Sequence, residues 1–235
     1  MARGTDMSKT GSAEFHCWYA ADRQSALRKG QGLLDTYKRF LRPGPVCDLG
    51  CGEGGFLLAL RELGCEDISG VDSNPELCSL AESFGLPVTR SDLGDYLRSE
   101  RLKTGVYFYL DVIEHVPFEF NLLVLNSLPV TSRLIVQTPF TNSLLGHQYY
   151  MNVPSHVSPY SPWVLRKMLA RSGYDLVAEG SMDGAHEPNW KNRLRALFIR
   201  KVLGIEPELL LGGGNYFVVA DKNREPAENA HAPIR

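Results

Sequence analysis

The sequence predicts an α/β fold, a mostly parallel sheet with helices packed on both faces. Three observations lead there. Between polar ends, short apolar runs rich in β-branched and aromatic residues alternate with amphipathic helical stretches. An early run passes directly into a glycine-rich turn and then a helix. The composition is that of one globular domain with elaborations: 235 residues, 43% hydrophobic and 22% charged.

The elements follow in order. "GLLDTYKRFLR" (32–42) reads as an amphipathic helix ahead of the core. "PVCDLG" (45–50) is a first strand, stopped by glycine, and "GFLLALRELG" (55–64) is a helix ending at Gly64. "DISGVD" (67–72) is a second strand. The helix "NPELCSLAESFG" (74–85) follows, with Asn74 as cap, Pro75 in the first turn and Gly85 as stop. "LPVTR" (86–90), "GVYFYLDVI" (105–113) and "SRLIVQTPF" (132–140) are the third to fifth strands. "SPWVLRKMLARSGY" (161–174) is a helix capped by Ser161 and stopped by Gly173. "DLVAEG" (175–180) and "NYFVVADK" (215–222) lack an intervening β-α-β pattern and suit an antiparallel pair. Residues 1–13 and 222–235 read as disordered tails around a single domain, 14–221, with insertions at 141–160 and 181–213.

A net charge of −2 offers no basic field for nucleic acid. Five cysteines form no C-x-x-C pair, which supports neither a zinc ribbon nor a disulfide framework and suits a reducing, cytoplasmic compartment. The N-terminus has no apolar core of a secretory signal, and no uncharged apolar run approaches the ~20 residues of a bilayer span.

The loop "VCDLGCGEGGF" (46–56) fits two ligands. Gly50, Gly52 and Gly55 satisfy the dinucleotide pattern G-x-G-x-x-G; Asp48, Gly50, Gly52 and Gly54 satisfy an acidic-x-G-x-G-x-G loop. Asp72, at the end of the second strand, suits a ribose in either version and does not separate them. Asp48 does, because a carboxylate beside the loop repels a pyrophosphate and attracts a cation. Gly55 then serves to ease helix packing. Asp92, just past the third strand, can accept from an adenine amino group, with Leu93 as a backbone donor. Asp111, Glu114 and His115 follow the fourth strand, where open α/β sheets bind ligands.

The motifs "VCDLGCGEGGF", "GVDSNPEL", "SDLGDYL" and "FYLDVIEHVP", in this order, resemble the class I S-adenosylmethionine-dependent methyltransferases. The resemblance covers about residues 30–180. It is strongest to the small-molecule branch with the ubiquinone-biosynthesis, natural-product and sugar enzymes. It implies a Rossmann-like, doubly wound sheet of seven strands, mostly parallel with an antiparallel last strand. It implies that Gly50, Cys51, Gly52 and Gly54 approach the methionine portion of S-adenosylmethionine and that Asp72 holds its ribose. Ser73, Asp92 and Leu93 would flank the adenine, and Leu110 and Asp111 the methionine side. Arg23, in the segment "EFHCWYAADR" (14–23) with Trp18 and Tyr19, would pair with the methionine carboxylate or else belong to a packed N-terminal helix.

Methyl transfer to a hydroxyl of a small molecule calls for a base, and histidine is the commonest near neutral pH. His156, before the capped helix at 161, is the leading candidate, and in similar enzymes a histidine there lies near the acceptor. His115 is the second, read either as an acceptor contact or as the residue that orders its turn. The segment 141–160 reads as a long lid-like loop whose His147, Tyr149 and Tyr150 would line the acceptor site. His147 and His156 have no metal-ligand spacing, so no metal is assigned. The stretch 190–205 is a basic amphipathic helix, read as cover for the site or sheet, with peripheral membrane contact as the alternative. N-methylation by positioning, a nicotinamide-dependent oxidoreductase and a non-catalytic cofactor-binding module remain as other readings. The oligomeric state is not encoded in any visible pattern.

Overall fold

The structure, a computed structural model, describes residues 22–99, 102–181, 198, 200–201 and 214–226. Helix α1 spans Arg23–Tyr37 and continues as a 3-10 turn, Lys38–Phe40. The alternation that follows is β1 Val46–Leu49, α2 Gly55–Glu62, β2 Ile68–Asp72, α3 Pro75–Ser83, β3 Val88–Arg90, α4 Leu93–Arg98 and β4 Val106–Leu110. A 3-10 turn at Ile113–His115 leads to α5 Phe118–Ser127, β5 Arg133–Pro139, α6 Leu144–Met151 and α7 Pro162–Arg171. Strands β6 Tyr174–Ser181 and β7 Asn215–Lys222 complete the sheet.

The seven strands lie in the order β3-β2-β1-β4-β5-β7-β6. All neighbours pair in parallel except β7, which runs antiparallel to both β5 and β6. This is the Rossmann-like sheet expected, with the last strand inserted between its two predecessors. Two apolar layers sandwich it. One packs Tyr37, Phe56, Leu57 and Leu60 against Phe108 and Val219. The other packs Leu122, Leu125, Leu165 and Met168 against Tyr109, Leu134 and Val218.

Several elements differ from expectation for identifiable reasons. Helix α1 begins at Arg23 rather than near residue 32, because Asp22 caps it by accepting from the Ser25 backbone N–H at 2.9 Å. Gly30, which reads as a breaker, sits where α1 crosses α2: a Cβ there would lie 1.9 Å from the Gly55 carbonyl oxygen. Strand β4 stops at Leu110, short of 113, since Asp111 turns the chain with a φ of 54°. The stretch 141–160 is not all loop. It contains α6, capped by Ser143 through its bond from the Gly146 N–H at 3.0 Å. Helices α4 and α5 have no counterpart among the expected elements; α4 is one and a half turns and α5 is apolar nearly all round.

The tail 1–13, Trp18, Tyr19 and most of 181–213 lie outside the described residues. Of 190–205 only Phe198, Arg200 and Lys201 are described, all exposed. Among the described residues no helix is long and apolar enough to cross a membrane.

Candidate active site

The glycine loop connects β1 to α2 at the carboxyl end of the sheet. Its shape is held from β2: the Gly50 and Cys51 N–H groups both donate to the Val71 carbonyl, at 2.8 and 3.0 Å. Gly50, Gly52 and Gly54 all have positive φ, at 85°, 53° and 78°, which side chains rarely tolerate. Space is tight as well, since a Cβ on Gly54 would meet Leu86 Cδ1 at 2.3 Å. Gly55 has another duty, as its sequence position suggested: a Cβ there would lie 2.5 Å from the Ala26 carbonyl oxygen, at the crossing with α1.

Three carboxylates surround this loop. Asp72 ends β2 and braces it, accepting from the Gly52 N–H at 2.9 Å through Oδ2 and from the Asn74 N–H at 2.8 Å through Oδ1. A carboxylate has about four acceptor positions, so capacity for a diol remains. Asp48 is 4% exposed. Burial, then the charges of Asp72 and Glu53, push its carboxyl up to about 7, and no donor among the described residues offsets them. Glu53, which sequence reasoning passed over, is also buried and lies 3.5 Å from Lys29. A small cleft crowded with acids is suited to a positively charged ligand.

Ser73, exposed, links Asp72 to the cap of α3. The Ser91 N–H donates to the Asp72 carbonyl at 3.0 Å and brings the end of β3 alongside. Asp92 there is exposed and caps α4, accepting from the Gly94 N–H at 2.8 Å, with Leu93 as the first helical residue. The fold thus gathers Asp48, the glycines, Cys51, Asp72, Ser73, Asp92 and Leu93 along the ends of adjacent strands.

Arg23 is not among them. On helix α1, Arg23 faces Glu62, at 3.8 Å, while Lys29 faces Glu53 beside the loop. At 1.5 Å per residue, Glu62 stands about 10 Å along α2 from the glycine loop. The expected pairing of Arg23 with a cofactor carboxylate therefore has no support in this geometry. Lys29, by contrast, is paired with Glu53 of the loop itself.

At the end of β4, Leu110 is half-buried and Asp111 adopts its left-handed conformation. The Tyr37 hydroxyl donates to Gln137 Oε1 at 2.6 Å, which leaves Gln137 Nε2 to donate to Asp111 Oδ2 at 2.6 Å. Asn215 Nδ2 approaches Asp111 Oδ1 at 3.4 Å. Burial raises the Asp111 carboxyl to about 6, with Gln137 opposing the shift. Gln137 is the polar interruption in the buried run "RLIVQTP", the sequence signal that marks it.

The next turn carries Glu114 and His115. Asn121, fully buried, pins it by donating from Nδ2 to the Ile113 carbonyl at 2.8 Å. Glu114 is 1% exposed; its Oε2 accepts from Thr138 Oγ1 at 3.1 Å, and its Oε1 has no hydrogen-bond partner. Its backbone carbonyl accepts from the N–H groups of Val157 and Ser158, at 2.8 and 3.1 Å. Those bonds bring His156 alongside. His156 Nδ1 donates to the Tyr150 carbonyl at 2.9 Å, and Nε2 faces Glu114 Oε1 at 3.9 Å. The His115 and His156 rings meet edge-on with centroids 4.6 Å apart. Tyr150 and Tyr149 lie 5.0 and 6.1 Å from the His156 ring. His147, exposed on α6, has no ring contact with this group among the described residues. Burial lowers the His156 pKa, so near neutral pH it is uncharged.

The chain matches the model of a family described as "Methyltransferase domain" over residues 19–179. No curated protein sequence matches it. Solved structures with the same fold include an S-adenosylmethionine-dependent methyltransferase from Archaeoglobus fulgidus, 23% identical, TM-score 0.68, covering 86% of this chain and 95% of that one. A possible histamine N-methyltransferase from Thermotoga maritima is 17% identical, TM-score 0.55, covering 84% and 91%. Magnesium protoporphyrin IX methyltransferase from Synechocystis PCC 6803, with bound S-adenosylmethionine, is 18% identical, TM-score 0.53, covering 86% and 84%. With the matched model spanning most of the chain, the protein belongs to this methyltransferase family and is an S-adenosylmethionine-dependent enzyme.

Proposed function

We propose that the protein methylates a hydroxyl group of a small molecule. The observation that carries this reading is the His156–Glu114 pair beside Asp111, at the end of β4. His156 donates from Nδ1 to a carbonyl and so presents the Nε2 lone pair as a base. The acceptor proton would pass to that nitrogen. The oxygen lone pair would form the bond to the methyl carbon, and the carbon–sulfur pair would return to sulfur, leaving S-adenosylhomocysteine. His115 stands at the mouth of the same group, and Tyr149 and Tyr150 would wall the acceptor. His147, exposed on the next turn of α6, would contact only a large acceptor.

For the cofactor, Gly50, Cys51, Gly52 and Gly54 would meet the methionine portion, with Asp48 opposite its charge. Asp72 would take the ribose hydroxyls, Ser73, Asp92 and Leu93 would border the adenine, and Leu110 and Asp111 would border the sulfonium side. Two of the structural neighbours are named for small-molecule acceptors, histamine and a porphyrin, which supports that class. Phe198, exposed beside Arg200 and Lys201, keeps peripheral membrane contact as a second reading for 190–205. Co-sedimentation with anionic liposomes checks it: the reading requires binding that Phe198→Glu abolishes.

The main test is an acceptor screen with isotopically labelled S-adenosylmethionine over phenols, sugars and amines, on the parent and His156→Ala. The reading requires a hydroxyl acceptor and a loss of turnover of about 10²–10⁴-fold in the variant. Methylation of amines alone, with His156→Ala retaining turnover, would replace it by N-methylation through positioning.

A further inference from the structure

We propose that Glu114, His115 and His156 form a binding site for one divalent transition-metal ion, open toward the acceptor. Sequence spacing did not suggest it, because the two histidines come from separate loops. The fold brings one ligand atom from each of the three side chains to within 4.8 Å of the others. Two donors about 2.1 Å from a common ion can be at most about 4.2 Å apart. The His156–Glu114 separation of 3.9 Å is inside that limit. The remaining approach, from within 4.8 Å to about 4.2 Å, would fall to the side chain of His115, which is exposed.

Two further features mark a site for a cation. Glu114 Oε1 is a buried carboxyl oxygen with no hydrogen-bond partner, facing the His156 imidazole. Leaving such an atom unsatisfied is unfavourable, and a bound cation would satisfy it. Opposite it, the His156 tautomer is set by the carbonyl of Tyr150, which can only accept a proton. The Nδ1–H bond therefore leaves the Nε2 lone pair directed toward Glu114 Oε1, at a distance too long for a hydrogen bond. A histidine whose other nitrogen is held by a backbone carbonyl is the usual arrangement of a metal ligand. The ligands are also clamped to one another, since Val157 and Ser158 donate to the Glu114 carbonyl and Thr138 holds Oε2.

Two imidazoles and one carboxylate suit zinc, cobalt or manganese better than magnesium, which prefers oxygen ligands. Three protein ligands leave at least one position for the acceptor hydroxyl. This deepens the proposed O-methylation and rests on it for its catalytic meaning. The ion would act as Lewis acid on that hydroxyl, releasing its proton to solvent in place of transfer to His156. The rest of the bond-making is unchanged.

The test separates binding from catalysis. Full-length protein is stripped with a chelator, dialysed and titrated calorimetrically with Zn²⁺, Co²⁺, Mn²⁺ and Mg²⁺, with no acceptor present. One ion per chain should bind. Glu114→Gln, His115→Ala and His156→Ala should each weaken it by at least ~30-fold while S-adenosylhomocysteine binding stays as in the parent. Cobalt should give a visible ligand-field spectrum that these variants lose. Absence of stoichiometric binding by any of the ions, or binding indifferent to all three variants, would overturn the site; His115→Ala, at an exposed position, guards against misfolding as the cause. If stripped protein methylates a hydroxyl acceptor at the full rate, the catalytic role fails and His156 stands as base. If the ion binds but only amines are methylated, the site stands and O-methylation fails.

Discussion

Replacing Asp48 with asparagine should stabilise the cofactor-free chain and weaken the cofactor complex, with opposite signs that one pH series can read. The Asp48 carboxyl sits at about 7 in the fold against 3.8 for the ordinary group. Between those values the unfolded chain has lost its proton while the folded chain still holds it. Stability from this group is therefore intact below about pH 4 and is lost as pH rises through 7, at roughly 1.4 kcal/mol per unit. The total is of the order of 4 kcal/mol, an upper bound because the site can relax. The amide introduced by Asp48→Asn does not titrate. In urea unfolding without cofactor, the Asp48→Asn advantage should grow by about 2–3 kcal/mol between pH 5 and pH 8 and flatten beyond the folded pKa. A bound sulfonium and ammonium reverse the preference by favouring the carboxylate. The variant should bind S-adenosylmethionine at least ~10-fold more weakly. Near pH 7 the parent should release about half a proton on binding, read from calorimetric heats in buffers of different ionisation enthalpy. Parallel pH profiles for parent and variant, or equal affinities, would refute the reasoning.

Three other outcomes follow from the same geometry. Asp72→Ala removes the proposed ribose acceptor and the brace on the Gly52 N–H, so calorimetry should show affinity for S-adenosylmethionine and S-adenosylhomocysteine falling by at least ~30-fold, about 2 kcal/mol. Gly30→Ala places a methyl 1.9 Å from the Gly55 carbonyl oxygen and must push α1 off α2; the denaturant midpoint should drop by an amount equivalent to about 2 kcal/mol or more. Lys222→Met strips the ammonium that the Leu125, Asn126 and Leu128 carbonyls share at 3.2, 2.7 and 2.6 Å, at the end of α5. The Asn126 and Leu128 carbonyls would lose that donor, while the Leu125 carbonyl keeps the Tyr174 hydroxyl at 2.9 Å, and the melting transition should show a loss of about 2–3 kcal/mol.

The sheet is legible in the sequence because its signals are local. Each of β1, β2, β4 and β5 is a buried apolar run, and three of the turns after them carry a glycine, an Asx cap or a proline whose backbone preference is strong. Asp48, Asp72 and Asp92 are legible for the same reason, since each follows directly from where a parallel strand ends. Helix α5 is hidden because it is apolar on most sides, so neither period stands out. Helix α1 reads shorter than it is because Gly30 looks like a stop, whereas its cause is a contact with Gly55 that only the folded chain contains. The pairing of Arg23 with Glu62 and of Lys29 with Glu53 depends on how α1 packs on α2, which no local pattern encodes.

The histidine group sharpens that distinction between local and assembled chemistry. Glu114 and His115 are adjacent in sequence, and their position after β4 is readable. Their partner in the proposed site is His156, delivered by two backbone bonds from Val157 and Ser158 to the Glu114 carbonyl. Those bonds use main-chain atoms, which every residue possesses, so the side-chain sequence carries no trace of them. The consequence is directional. The proposed cofactor half lies on strand ends and glycine turns of the sheet, whereas the proposed acceptor half lies on α6 and the loop leading to α7, tied to the turn after β4 by the Val157 and Ser158 bonds to the Glu114 carbonyl and by the Ser158 hydroxyl to the Val116 carbonyl. On the proposed reading, changes in 141–160 would alter which acceptor is taken while leaving the glycine loop, which is braced from β2, in place.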